Sequence, residues 1–235
     1  VNGARLRKGE SEWSASFPMA DTPDFPDCNP VMFIDGNNEL WLIWIAVMAE
    51  RWEDSLLRCR RAREYMGDGA PDWYWQDLIV FHPGERFVAA ANSGLDEVEK
   101  QLPKLPLDKF VKYLAGKNIK RIREEADNMS LRQRGWMPRC CPLILPSGRY
   151  ILPLYSDGYL MGLMAISDDQ GKTWRASEPI VGLALNQPSL ARKQDGTLVA
   201  YMREENDYLH RIYCSESKDD GETWSVATPI ELPNP

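Results

Sequence analysis

Ser167–Trp174 reads SDDQGKTW, and Ser217–Trp224 reads SKDDGETW. Both obey S-x-D-x-G-x-T-W, and each consensus residue has a mechanical use in a tight turn. Asp169 and Asp219 are placed to accept backbone N–H bonds across the turn. Gly171 and Gly221 permit positive φ. Ser167, Thr173, Ser217 and Thr223 add side-chain hydrogen bonds, and Trp174 and Trp224 supply apolar anchors. A catalytic group would need no identical copy in a neighbouring unit, so the two boxes read as repeated structural corners. Calcium needs more oxygen ligands than the pairs Asp168/Asp169 and Asp219/Asp220 offer in such turns.

A second repeat runs out of phase with the boxes. Asn29-Pro30, Cys141-Pro142 and Gln187-Pro188 each open a β-rich run, and Asn234-Pro235 stands where another would begin. Proline is tolerated at the start of a strand. Each run turns back at a Gly-containing loop, DGNN, PSGR or QDGT, as a hairpin does. A third strand follows, then the box, then a fourth. Pro142 to Pro188 spans 46 residues and Pro188 to Pro235 spans 47, a period that suits four-stranded propeller blades better than the shorter or helical repeats of a solenoid. The first interval, Pro30 to Pro142, is 112 residues, which predicts an insertion over residues 84–135. Within it Leu107–Ala126 carries Phe110, Val111, Leu114, Ile119 and Ile122 at near-helical spacing, so one or two helices are expected. GDGAPDW (67–73) and KGESEWS (8–14) look like degraded boxes, the latter closing a blade whose start is absent.

Bulk properties narrow the function. The net charge is −7 with no long basic run, which argues against nucleic acid or an anionic membrane surface as partner. The longest apolar run, Leu40–Met48, is about half of a bilayer span. No signal peptide is visible and residue 1 is Val; the compartment is not readable, and an extracellular or periplasmic location is compatible with the sequence. Cys28, Cys59, Cys140, Cys141 and Cys214 form no C-x-x-C, so no metal site is expected and the thiols read as free and buried, with a disulfide left open for an exported protein. Nothing in the sequence points to a cofactor.

The S-x-D-x-G-x-T-W box is the Asp-box, or BNR repeat, of sialidases and related propellers. With NPVMFIDGNNELWLIW, WMPRCCPLILPSGRYILPLY and NQPSLARKQDGTLVAYMRE around it, the chain resembles the bacterial sialidase-like (BNR-type neuraminidase) family. The resemblance implies an all-β, six-bladed β-propeller of the sialidase type. About half of it is expected within residues 1–235, as three near-complete four-stranded blades with the helical insertion, the remaining blades lying outside the chain. It also implies a carbohydrate substrate and exo-alpha-sialidase-type hydrolysis of acidic or decorated glycans. A non-catalytic propeller binding glycan or protein is the alternative, since fold does not fix function.

Strand order places the start of strand one and the end of strand two on one face of a blade, with the box on the opposite face. The first face should therefore carry Asn29, Arg51, Arg139, Tyr155, Asp157, Gln187, Arg203, Glu204 and Glu205. By resemblance, sialidases clamp a substrate carboxylate with three arginines and use a Tyr nucleophile paired with Glu, and an Asp as acid/base. Arg203 aligns with the family's second arginine, and Arg139 resembles the Arg of its Arg-x-Pro strand entry with one extra residue before Pro142. Asp157 stands as an acid/base candidate and Tyr155 as a catalytic tyrosine. Gln187, Asn29 and Glu204 are expected to contact the sugar. Leu185 occupies the place where the family carries its Glu.

Overall fold

The computed structural model describes residues 1–206 and 208–234; Pro235, the expected opening of a further strand, lies outside them. Three antiparallel four-stranded sheets follow one another along the chain. The first is β3 (Asp27–Ile34), β4 (Leu40–Ala46), β5 (Leu56–Ala62) and β6 (Trp73–Leu78), hydrogen-bonded in that order. In the second, the innermost strand is split into β7 (Met137–Pro138) and β8 (Leu143–Ile144). Both pieces pair with β9 (Tyr150–Ser156), and β10 (Met161–Ser167) and β11 (Arg175–Ala176) follow outward. The third is β12 (Leu185–Arg192), β13 (Leu198–Glu204), β14 (Arg211–Ser217) and β15 (Thr228–Pro233). A two-stranded piece, β1 (Asn2–Gly3) with β2 (Phe17–Pro18), precedes them, with KGESEWS in its turn. The architecture is mostly β, in blade-like units, and no sheet among the described residues closes on itself.

Burial explains the sequence texture. The middle sheet is covered on both faces, so every residue of β9 and β10 is buried, and YILPLYS and MGLMAIS read as apolar runs rather than alternations. In β4, Trp41, Ile43 and Ile45 join the main core, while Leu42 and Trp44 pack with Met19 and Ala20 of the N-terminal piece. Opposite parity along the strand thus glues one sheet to two neighbours.

The boxes are corners held by their own consensus atoms. Ser167 Oγ donates to Asp169 Oδ1 at 2.8 Å and accepts from Gly171 N–H at 2.8 Å. Asp169 also accepts from Lys172 N (3.0 Å), Thr173 N (2.9 Å) and Thr173 Oγ1 (2.6 Å). Ser217, Asp219, Gly221 and Thr223 repeat the pattern, and Trp224 Nε1 donates to the Gly221 carbonyl. The glycines have a second use. Each lies against the second strand of the preceding sheet, Gly171 on Trp41 and Gly221 on Ile151. Arg61 ties the first of these contacts down, donating to the Gly171 carbonyl at 2.7 Å with its guanidinium over Trp41. Between the second and third sheets, Arg149 pairs with Asp168 at 2.6 Å and Glu222 at 3.0 Å, both non-consensus box positions.

Between β6 and β7 lie α1 (Glu85–Gln101), α2 (Lys109–Ala126) and the short α3 (Met129–Arg132). Asp108 caps α2, accepting from Phe110 N and Val111 N. The inward face of α2 is Ala115, Ile119, Ile122 and Ala126; Phe110, expected on the apolar stripe, faces solvent. α1 had no counterpart in the helical reading of Leu107–Ala126; it buries Phe87, Ala91, Leu95 and Val98 in the same core. No described helix is long and apolar enough to cross a membrane. All five cysteines are free, but only Cys59 is buried and Cys141 is exposed, which corrects the expectation of uniformly buried thiols.

Candidate functional site

The polar-residue-plus-proline steps interrupt each innermost strand at the same place. The β3/β4 register slips between Cys28 and Val31, and the β12/β13 register between Asn186 and Ser189. In the middle sheet the break is complete and separates β7 from β8. Asn29 and Gln187, each just before its proline, both sit at φ 51°. Left-handed geometry is uncommon for such residues, and a bulge of this kind re-aims a side chain.

The first bulge delivers Asn29 to the neighbouring sheet. Its Nδ2 donates to the Tyr155 hydroxyl at 2.9 Å, and its Oδ1 accepts from Arg139 Nη1 at 3.1 Å. Gln187 also hydrogen-bonds the same tyrosine. Burial, and then the charge of Asp157, push the Tyr155 phenol above its ordinary value, while Asn29, Gln187 and Arg139 pull it back. Asn29 and Gln187, from the first and third sheets, therefore meet at a hydroxyl of the second, with Arg139 and Asp157 near enough to act on it by charge.

A second group adjoins it. Asn186 Nδ2 donates to Glu205 Oε2 at 2.6 Å and reaches Asp157 Oδ1 at 3.3 Å. Arg203, the residue opposite Asn186 across β12/β13, makes a short ion pair with the same Glu205 oxygen. Burial raises the Asp157 carboxyl above the usual range, and the Glu205 charge raises it further; Glu53 adds to this, while Asn186 and Arg203 oppose it. A carboxyl whose proton affinity is raised, beside an amide and a guanidinium, is suited to general-acid work.

Other expected positions fall elsewhere. Glu204 is almost fully buried and turned away from this group. Its carboxylate accepts from Tyr208 N and Leu209 N, and its main chain pairs with the Asn234 side chain. Strand alternation requires this, since Arg203 and Glu205 take the other face. The expectation that Glu204 contacts a sugar is corrected accordingly. Arg51, exposed and paired with Asp54 at 3.4 Å, lies in the loop after β4. It lines a polar cavity of about 190 Å³ together with Glu53, Arg134, Ser156, Gly158 and Tyr159. Ser156 and Gly158 flank Asp157 in the chain, but Asp157 itself does not line this cavity. Leu185 is fully buried in the core. Asn186 and the use of Glu205 as its partner were missed from sequence. A lone Asn in the apolar run VGLALNQ was the available signal. Among the described residues no group of three or more His, Cys, Asp or Glu could hold a metal ion.

Residues 136–235 match the BNR repeat-like domain family. The anhydrosialidase of Macrobdella decora is 33% identical over 88 residues, a match covering 36% of this chain and 11% of that protein. Among solved structures, an exo-beta-1,3-galactanase from Clostridium thermocellum superimposes with a TM-score of 0.53 at 11% identity, over 91% of this chain and 38% of that one. The NanB sialidase of Streptococcus pneumoniae gives a TM-score of 0.45 at 16% identity, over 88% of this chain and 25% of that one. The chain thus spans a minor part of each of these three relatives.

Proposed function

We propose that this chain, which belongs to the sialidase-like BNR-repeat family, forms one wall of a glycoside hydrolase site. The enzyme is of the exo-alpha-sialidase type and acts on acidic or decorated glycans. The chain contributes about half of a six-bladed propeller. The observation that carries the reading is the convergence described above. Bulges and strand ends of three consecutive sheets bring Asn29, Arg139, Tyr155, Asp157, Gln187 and Arg203 to one face, while the boxes occupy the other.

In this reading Asp157 is the general acid. Burial and the Glu205 charge raise its affinity for a proton, the direction a general acid needs in order to protonate the departing glycosidic oxygen. Tyr155 is the nucleophile: its oxygen bonds the anomeric carbon as the bond to the departing oxygen breaks, and the phenol proton passes to solvent, with Asn29 orienting the hydroxyl. Arg139, exposed and hydrogen-bonded to Asn29, is the cation available to an acidic sugar substituent. The site requires no cofactor in this scheme.

Turnover of fluorogenic aryl glycosides, a sialoside among them, tests it, with Asp157→Asn as the control variant. Loss of the acid should lower kcat at least a hundredfold. Glycan binding without any turnover by the folded protein would favour the second reading, a non-catalytic glycan-binding propeller. One observation favours that reading: Leu185 is sealed in the core at the place where the resemblance expects a catalytic Glu.

A further inference from the structure

We infer that the outward face of α2 is a second carbohydrate-binding surface, which holds an acidic polysaccharide through two aromatic rings and a row of lysines. None of its residues belongs to the group around Tyr155. The choice of a glycan over other polyanions rests on reading this chain as carbohydrate-acting, but the surface does not need hydrolysis to occur.

Burial fixes which side of α2 is free. Ala115, Ile119, Ile122 and Ala126 are buried, so the opposite side faces outward. Phe110 and Tyr113 lie there, 67% and 66% exposed. At i and i+3 they are neighbours on the helix surface. A single exposed ring is ordinary, whereas two on adjoining turns make a platform. The space over Gly116, one turn further on, is open.

Charge is concentrated on the same element. The chain as a whole is −7, yet Lys104, Lys109, Lys112, Lys117 and Lys120 follow one another in a stretch whose sole acid is Asp108. That carboxylate is occupied by the cap, accepting from Phe110 N and Val111 N. Lys120 lies 3.9 Å from Glu124. Lys109 and Lys117 stand four residues to either side of Tyr113 and are exposed. Neither makes an ion pair among the described residues. From Lys109 to Lys120 the stripe runs roughly 16 Å, a length that suits a chain of sugars better than one sugar.

This combination of groups selects among polyanions. The C–H face of a pyranose packs on an aromatic ring by burying apolar surface. Its hydroxyls can bond the Tyr113 hydroxyl, and lysine ammonium groups meet carboxylates or sulfates as point charges. An anionic membrane fits less well, because an interfacial helix inserts a broad apolar face and that of α2 is already buried. Nucleic acid also fits less well. A convex helix face has no groove to track a phosphate backbone, and the nearby guanidinium groups of Arg121 and Arg123 are engaged by Glu125, Asp96 and Glu99.

The test is calorimetric titration of this chain with polygalacturonate and dextran sulfate. Neutral dextran, polyglutamate and oligodeoxythymidylate are the comparisons, with co-sedimentation on phosphatidylserine vesicles beside them. At least one acidic polysaccharide should bind, and the tighter of the two shows whether carboxylate or sulfate is the acid preferred. Dextran should bind at least tenfold more weakly. Phe110→Ala combined with Tyr113→Ala alters no charge and should weaken the acidic polysaccharide at least tenfold. Lys109→Gln combined with Lys117→Gln should weaken it as much and flatten its dependence on salt. All four positions are exposed; should the double ring variant fail a near-ultraviolet circular dichroism check, Tyr113→Ser alone replaces it. Four results overturn the inference. One is no binding of either acidic polysaccharide. Another is an affinity unchanged in the folded ring variant, which leaves only attraction between charges. A third is polyglutamate or oligodeoxythymidylate binding as tightly. The last is vesicle binding, or self-association in sedimentation velocity, that the same variants abolish. The hydrolase reading fails separately. Absence of aryl glycoside turnover alongside polysaccharide binding removes the hydrolase and leaves this surface standing, and turnover without polysaccharide binding does the reverse.

Discussion

Replacing the box glycines separates two reasons for conserving space at a corner. Gly171 has φ 76° and Gly221 has φ 87°, so either Ala substitution pays the left-handed penalty of roughly 1–2 kcal/mol. The neighbours differ. A Cβ on Gly171 would stand 2.4 Å from Trp41 Cη2 and 2.9 Å from Cζ2. That ring cannot yield cheaply: it is fully buried, stacked on Phe33, edge-on to Trp75 and Tyr150, held by its indole N–H on Asp35, and covered by Arg61. A Cβ on Gly221 would stand 3.1 Å from Ile151 Cδ1, the far end of a rotatable chain. Overpacking of the first kind adds roughly 1–3 kcal/mol. Gly221→Ala should therefore cost about 1–2 kcal/mol and Gly171→Ala about 2–5 kcal/mol. Urea unfolding followed by tryptophan fluorescence measures both. The cycle Gly171→Ala with Trp41→Phe should show a coupling of at least ~1 kcal/mol. Equal losses at the two glycines, or no coupling to Trp41, would refute the claim that the boxes serve as contacts between sheets as well as turns.

Further outcomes follow from the same contacts. Burial alone would raise Asp169, but bonds from Thr173, Ser167 and the Lys172 N–H bring it down to about 2. Its contribution, discounted to about 1 kcal/mol for an exposed group, is present above pH ~4 and lost as pH falls toward 2. Melting temperature against pH should show this acid limb shrinking in Asp169→Asn. Asp157 behaves oppositely, because its folded-state affinity for a proton is raised. It destabilises the fold as pH rises past the ordinary carboxylate range, so Asp157→Asn should raise the melting temperature at pH 7 while abolishing turnover; a lowered melting temperature would contradict this. Arg149→Ala, which removes one of the two arginines joined to Glu222 and leaves Arg175 in place, should cost about 1–3 kcal/mol, read by the same urea titration. Burial pushes the Cys59 thiol up to about 12, against the pull of Arg61. A thiol reagent should therefore modify exposed Cys141 in the native protein and reach Cys59 only on unfolding.

The corners were readable because a turn is a local object. Ser167, Asp169, Gly171 and Thr173 satisfy one another within seven residues, so their spacing alone encodes the geometry. The helix α2 was readable for a similar reason, through the period of Ile119 and Ile122, whereas α1 hides behind a short apolar face broken by polar residues and Gly94. That glycine is itself explained only in three dimensions: a Cβ there would meet Val181 at 2.6 Å.

The site was legible to the level of which strand ends converge, and no further, because partner choice depends on register. Parity could have separated Glu204 from Glu205: Met202 is core, so Glu204 shares its side of β13 and Arg203 and Glu205 take the other. Asn186 is harder. Counting back from the hairpin QDGT, its pairing with Arg203 must be carried through the bulge at Gln187-Pro188, where the register slips. One uncounted residue reverses every side chain beyond it. The same bulge that hides Asn186 from a sequence reading is what turns Gln187 toward Tyr155. An irregularity that defeats strand counting is thus what lets two successive residues of one strand serve two adjoining parts of a site.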